Sequence, residues 1–293
     1  MVKKILALVI LVAVVFTFSA CQNDNKPETN PYDNSNKNEN VSDDTEVSGP
    51  VLSGKLLIEG STSMQKIFQE LIDTYTAKNP KVTIEYIGDG SSAGIKAAID
   101  GTANIGTSSR EVKAEELSQG IEVIKIAEDA IAVIVNNQNQ VGNLTREQIA
   151  KIYKKEITNW KEVGGADAPI VVVARDAASG TREAFETLFD VTEQVKADQE
   201  AAKTGEVKTI ISQNPNAIGY ISLAYTDNTV KALAIDGVQA EVDNVINGTY
   251  TVKRPFNIVT KGKPDALEQA FIDFIFSDEG KEIISKEAIP VEK

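Results

Sequence analysis

The sequence predicts an α/β fold, on three observations. Short apolar runs alternate with helical patterns from Lys55 onward, an order that places helices on both faces of a sheet. A helix-rich beginning and end flank a distinct middle, which suits two α/β lobes, with the chain crossing near Ala130 and returning near Lys253. Three apolar runs turn through Ser, Thr and Gly directly into a helical pattern. Each such turn offers unpaired N–H groups and the positive end of a helix dipole, the makings of an anion site.

The chain starts differently. Lys3 and Lys4 precede an apolar run from Ile5 to Phe18, followed by Ser19, Ala20 and Cys21. A charged start, a short hydrophobic stretch and small residues read as a removable export signal over residues 1–20, because the run is shorter than the ~20 residues a spanning helix needs. Phe18-Ser19-Ala20-Cys21 resembles a lipobox, with Phe18 in place of the usual Leu, which makes Cys21 the residue to be acylated. From Gln22 to about Gly49 the chain is Asn, Asp, Glu, Ser and Pro, a composition that cannot repay the entropy of ordering. Residues 21–50 are therefore expected to be a lipidated tether reaching on the order of 30 Å, with the folded body beginning near Val51.

Along the body, Leu56–Ile58 predicts a strand that leads through Gly60, Ser61, Thr62 and Ser63 into a helix. Met64, Ile67, Phe68, Leu71, Ile72 and Tyr75 form its single apolar stripe. Val82–Ile87 predicts a second strand, followed by Gly88, Asp89, Gly90, Ser91, Ser92 and Gly94 at the next helix start. Asp129–Val135 predicts a strand, and Thr145-Arg146-Glu147 a helix start running to Tyr153. Trp160 is expected to pack against the next layer. Ile170–Ala174 predicts a buried strand that runs into Arg175, Asp176, Ala177, Ala178, Ser179, Gly180, Thr181 and Arg182. Gly180 allows close approach of a ligand, and Arg175 supplies a planar fork that matches a tetrahedral oxyanion. Asn214–Tyr220 reads as a turn into a strand over Ile218–Leu223, Pro255–Thr260 as another strand, and Ala266–Phe276 as a closing amphipathic helix.

Composition limits the chemistry. A net charge of -13 argues against nucleic acid as a partner, since such binding needs basic patches. A small anion is not disfavoured, because a few buried donors decide its affinity. The sequence contains no histidine and one cysteine, which removes Ser-His-Asp catalysis, a His-ligated zinc site and an internal disulfide. A secreted hydrolase would need a Ser-Lys pair or a carboxylate-only metal site, and a scaffold or adhesin lipoprotein is a third reading.

Gly60 to Ser63, Gly88 to Gly94, Ile105 to Arg110, Arg175 to Arg182 and Asn214 to Tyr220 resemble, in order and spacing, the phosphate-binding proteins of phosphate-specific ABC transporters. The resemblance covers essentially the whole body. It implies a periplasmic-binding-protein-like fold (type II), with two α/β lobes and a ligand cleft between them, the lobes being 51–130 with 254–293 and 131–253. It implies binding without catalysis or cofactor, in a monomer exported and lipid-anchored at the outer face of the cell membrane, which delivers inorganic phosphate to membrane permease subunits. Carried over residue by residue, it assigns ligand binding to Thr62, Ser63, Ser91, Ser109, Arg175, Ser179, Gly180 and Thr181, with Arg175 as the one full positive charge on the ion. Ser61, Arg110, Asp129, Asp89 and Arg182 are further candidates, although Arg182 can equally pair with Glu186 one helical turn on. Ser109 stands where many relatives carry an Asp that accepts the proton of phosphate and so excludes sulfate. A serine can donate as well as accept, so either selectivity is weaker or another carboxylate has taken over, Asp129 first and Asp89 second. Sulfate, molybdate and tungstate receptors share the fold and remain the alternative.

Overall fold

A computed structural model describes residues 52–293. The export signal, Cys21 and the tether lie outside the described residues. In chain order the elements are β1 (Gly54–Gly60), α1 (Gln65–Lys78), β2 (Val82–Gly88), α2 (Ser91–Asp100), β3 (Ile105–Ser108), α3 (Ala114–Leu117), β4 (Ile121–Asn136), β5 (Asn143–Leu144), α4 (Arg146–Tyr153), β6 (Val171–Arg175), α5 (Gly180–Leu188), β7 (Gln199–Ala201), α6 (Thr204–Gln213), β8 (Ala217–Ser222), β9 (Val230–Ala232), β10 (Ala234–Ile235), α7 (Val242–Ile246), β11 (Lys253–Lys261), α8 (Ala266–Ile275), α9 (Asp278–Ser285) and β12 (Ile289–Pro290).

One long strand organises these elements. The main sheet runs β2-β1-β3-β11-β4-β8-β6-β7, with β9 and β12 also pairing with β4. The first part of β4 pairs antiparallel with β11, ending at Ala130 opposite Lys253. From Ile131 it pairs with β8 instead, Ile131 opposite Ser222. The switch of partner divides the apolar interior into two large clusters. One holds Leu56, Phe68, Leu71, Phe256 and Phe271, and the other holds Val133, Tyr153, Trp160, Phe185 and Tyr220. These are the cores of two α/β lobes that share β4 and its partners.

The local reasons are legible. The apolar stripe of α1 is buried at Ile67, Phe68, Leu71, Ile72 and Tyr75, and burying each large side chain contributes roughly 1.5–3 kcal/mol. Thr145 caps α4 by accepting from the Gln148 N–H, which Gln148 reciprocates. Trp160 is buried, and its indole N–H donates to Asn216 O at 2.9 Å. Two expectations need correction. β4 begins eight residues before the predicted Asp129, since Ile121–Glu128 are already in the ladder with β11. The helix at Ala266 does not close the chain, because α9 and β12 follow, with Gly280 packed against the carbonyl ends of α8.

Candidate functional site

The three Ser/Thr/Gly turns meet. Gly60 and Gly90 adopt left-handed backbone angles, φ 138° and 113°, which suit glycine. Gly60 O accepts from both Asp89 N (3.0 Å) and Gly90 N (2.8 Å), tying the start of α2 to the start of α1. Ala178 O accepts from Ser92 N at 3.2 Å, tying it also to the start of α5. Of the three starts only α5 has an ordinary hydroxyl cap, Ser179 accepting from Arg182 N. At α1 and α2 the N-cap residues are Met64 and Gly90, with no side-chain cap. The hydroxyls of Thr62, Ser63 and Ser91 thus do something other than cap.

They form a buried cluster that joins the lobes. Ser63 Oγ lies 2.9 Å from Thr181 Oγ1 and 3.1 Å from Thr204 Oγ1. Thr62 Oγ1 lies 3.0 Å from Thr204 Oγ1. Ser91 Oγ accepts from Ser109 N at 3.0 Å and lies 3.2 Å from Ser109 Oγ. Gly180 sits against this second pair: a Cβ there would come within 2.3 Å of Ser91 Oγ. The first N–H groups of α5, at Gly180 and Thr181, have no partner within their helix and lie at its positive end.

Two guanidinium groups underlie the cluster, and they are held differently. Arg175 ends β6 and is buried. Carbonyls fix it: Nε donates to Ala201 O (3.1 Å), Nη2 to Ala202 O (2.8 Å) and Nη1 to Thr204 Oγ1 (3.1 Å). Burial pulls its pKa below the ordinary arginine value, but arginine starts so high that it stays charged. Arg254 enters from β11 opposite Asp129. Its Nε and Nη2 donate to Asp129 Oδ2 (3.1 and 2.9 Å), and its Nη1 donates to Ser109 O (3.0 Å) and Thr181 Oγ1 (2.7 Å). Arg254 is thus a second guanidinium beside these hydroxyls, one that the sequence analysis does not include among its candidates.

The other predicted residues are placed as follows. Asp129 is buried with both oxygens engaged, Oδ2 by Arg254 and Oδ1 by Ser222 Oγ at 2.8 Å, and it reaches the hydroxyls only through Arg254. Asp89 is exposed on the outer side of its turn, where burial first and the neighbouring carboxyl second push the Glu59 pKa up. Arg110 is held by Glu116 (2.7 Å) and Glu183 (3.0 Å), and Arg182 by Glu186 (2.7 Å) and Glu200 (2.8 Å). Ser61 supports its own turn, its Oγ accepting from Ser63 N and its N–H donating to Thr107 Oγ1. Thr204, Arg254 and Ser222 escaped the sequence reading. Their only sequence signals are a hydroxyl at a helix start and an arginine at the mouth of an apolar strand.

Comparison with known proteins places the chain in a family. The profile of the PBP superfamily domain matches residues 40–279. The phosphate-binding protein PstS of Bacillus subtilis is 31% identical over 99% of this chain and 94% of its own. The chain belongs to the PstS family. PstS of Borreliella burgdorferi is 33% identical over 78% of this chain and 87% of its own. Among solved structures, a Clostridium perfringens protein with bound phosphate, described as a phosphate ABC transporter substrate-binding protein, is 43% identical. It superposes with a TM-score of 0.79 over 82% of this chain and 100% of its own. An ABC-type phosphate transport receptor from Vibrio cholerae is 35% identical with a TM-score of 0.68, over 81% of this chain and 100% of its own. The periplasmic-binding-protein-like architecture expected of a PstS-family chain is the one observed.

Proposed function

We propose that this chain is the extracytoplasmic receptor of a phosphate ABC transporter: it binds inorganic phosphate between its lobes and presents it to membrane permease subunits. The observation that carries the proposal is the buried cluster in which Thr62 and Ser63 of one lobe meet Thr181 and Thr204 of the other beside Arg175. Binding would draw on Thr62, Ser63, Ser91, Ser109, Arg175, Ser179, Gly180 and Thr181, with Thr204 added. Donors from both sides desolvate the ion fully only when the lobes, 51–130 with 254–293 and 131–253, come together, so the ligand stabilises closure. Arg175 is the cation best suited to the ion, because carbonyls rather than carboxylates hold it and its charge is not neutralised by contact. The cluster supplies donors and no nucleophile–base pair, which favours a receptor over an enzyme. Cys21 would carry the lipid, and residues 22–50 would tether a monomeric body to the outer face of the membrane.

One specific feature bears on ion choice. Among the described residues no carboxylate hydrogen-bonds to the hydroxyl cluster, so discrimination between phosphate and sulfate falls on hydroxyls that can accept, Ser109 above all. Calorimetric titration of the full chain with phosphate and then sulfate tests the reading. Charged hydrogen bonds contribute about 1.5–3 kcal/mol each, so a few of them with neutral donors reach the ~8 kcal/mol of a micromolar binder. The expected result is micromolar or tighter phosphate binding, abolished by Arg175→Ala. No heat with phosphate would reject the receptor reading, and equal heats with both ions would make the chain a general oxyanion receptor.

A further inference from the structure

Arg254 is a buried charge that the binding set above leaves unused. It belongs to neither lobe core alone: it stands on β11 one residue from where β4 changes partner, and its Nη1 touches both sides, Ser109 O from one lobe and Thr181 Oγ1 from the other. Arginine has donors and no acceptor, so the direction of its bond to Thr181 is fixed and the threonine oxygen accepts. A buried hydroxyl must also place its own proton. The other partner of Thr181 Oγ1 is Ser63 Oγ, at 2.9 Å, and with one acceptor position of Thr181 filled by Arg254 this is the direction, into the space between the lobes, in which the Thr181 proton finds an acceptor. Asp129 makes the arrangement rigid by gripping Nε and Nη2 from the far side, and Ser222 holds the other carboxylate oxygen. The Asp129–Arg254 pair carries no net charge, which suits it to orientation more than to attraction.

We propose that Arg254, held by Asp129, is a positioning residue for anion binding: it fills one acceptor position of Thr181, turns that hydroxyl to donate into the site and so makes that point favour an unprotonated oxygen of the ion. This rests on the receptor reading and adds a residue and a polarity to it. Arg175 stands in the same relation to Thr204, donating to its oxygen from Nη1, so the second lobe presents two threonines that each have one acceptor position already filled by a guanidinium. An oxyanion whose facing oxygens all lack protons satisfies both. One that must put an O–H against Thr181 has to take the single acceptor position that Arg254 leaves and turn the Thr181 proton away from the site.

The test is phosphate titration of the full chain, of Arg254→Lys, of Thr181→Val and of the double variant, at pH values on either side of the second ionisation of phosphate. Arg254→Lys keeps the charge beside Asp129 but loses the fork that reaches Thr181, and melting curves without phosphate establish that each variant folds. Should Arg254→Lys fail to fold, the doubly neutral Asp129→Asn/Arg254→Met takes its place. The expected result is about a tenfold loss of affinity in each single variant. The double variant should lose no more than the worse single one, since the two residues act through one bond. The preference for the more ionised phosphate should be flatter in all three. Losses that simply multiply, or an Arg254→Lys affinity within about twofold of the unmodified chain, would overturn the proposal. Failure of the unmodified chain to bind phosphate would instead remove the receptor reading beneath it, a result told apart because it appears before any substitution is made.

Discussion

The main-chain N–H of Arg175 donates to Tyr220 Oη at 3.2 Å, and the Tyr220 ring lies flat on Phe185 with 4.0 Å between centroids. The root of Arg175 is thus anchored to the core of one lobe while its guanidinium reaches the lobe boundary. Replacing Tyr220 by Phe keeps the stack and removes the acceptor, leaving a buried N–H without a partner. Such an orphan costs about 1–3 kcal/mol. Urea denaturation should show that loss, and phosphate affinity should fall with it because Arg175 loses its mooring. A Tyr220→Phe stability within 0.5 kcal/mol of the unmodified chain, on the order of a surface change, would mean that water or a backbone shift replaces the bond.

Two glycines separate folding from binding. A Cβ on Gly94 would lie 2.3 Å from Glu59 O and 2.6 Å from Gly60 Cα, atoms of β1 that cannot step aside. A Cβ on Gly180 would meet Ser91 Oγ and Cβ at 2.3 and 2.7 Å, a hydroxyl that can turn away and a Cβ at the first residue of α2 that yields by a small shift of that helix start. Overpacking of the second kind costs typically 1–3 kcal/mol, and backbone collisions cost more. Gly94→Ala should therefore lower the melting temperature more than Gly180→Ala does. The rise in melting temperature on adding phosphate should survive in any folded Gly94→Ala and be lost in Gly180→Ala, where Ser91 and Ser109 are displaced. Equal phosphate-induced shifts in both variants would place the ion away from this corner.

Much of this arrangement was legible in the sequence because it is local. Each Ser/Thr/Gly turn follows an apolar strand and opens a helix within a few residues, so spacing alone exposes it. What the sequence hid is what the fold assembles from afar. Asp129 and Arg254 are 125 residues apart and Thr62 and Thr204 are 142 apart, and no period or turn signal links them. In the sequence Asp129 is a carboxylate that opens an apolar strand with no counter-charge next to it, the pattern of a group free to accept a proton from the ligand, and only the fold brings Arg254 to it. The early part of β4 was missed for another reason: Glu122, Lys125 and Glu128 interrupt its apolar residues, and its strand character comes from pairing with β11.

Glu183 on α5 ties the lobes together at the rim. Its carboxylate forms ion pairs with Arg110, 3.0 Å from Nε, and with Lys113, 3.3 Å from Nζ, both in the segment after β3. Burial works against the Arg110 charge, yet Glu116 and Glu183 together hold its pKa above the ordinary arginine value. Glu183→Gln should leave the fold intact, since Glu116 still grips Arg110. It should speed phosphate release by about two- to fivefold, the scale of a partly exposed ion pair worth up to about 1 kcal/mol. Stopped-flow release at low and high salt checks this, because screening should shrink the difference. A release rate unchanged at low salt would show that the contact does not hold the lobes shut.

Asp129 gives the stability a pH dependence of unusual sign for a carboxylate. Burial raises its pKa from 3.8 to about 6, outweighing the opposing pull of Arg254 and Ser222, and burial likewise lowers the pKa of Arg254. The folded chain then holds the Asp129 proton more tightly than the unfolded chain does. The contribution of this group is complete below about pH 3.8 and is lost as pH rises through about 6. Between pH 7 and pH 5 the unmodified chain should therefore gain roughly 1 kcal/mol from this residue. Asp129→Asn is neutral at both pH values and so cannot show this gain, and the unmodified chain should approach it in stability as pH falls from 7 to 5. Urea denaturation of both proteins at the two pH values reads the difference directly. If the stability gap between them stays constant, or widens in favour of Asp129→Asn at pH 5, the carboxylate is ionised throughout the range and the pull of Arg254 wins over burial.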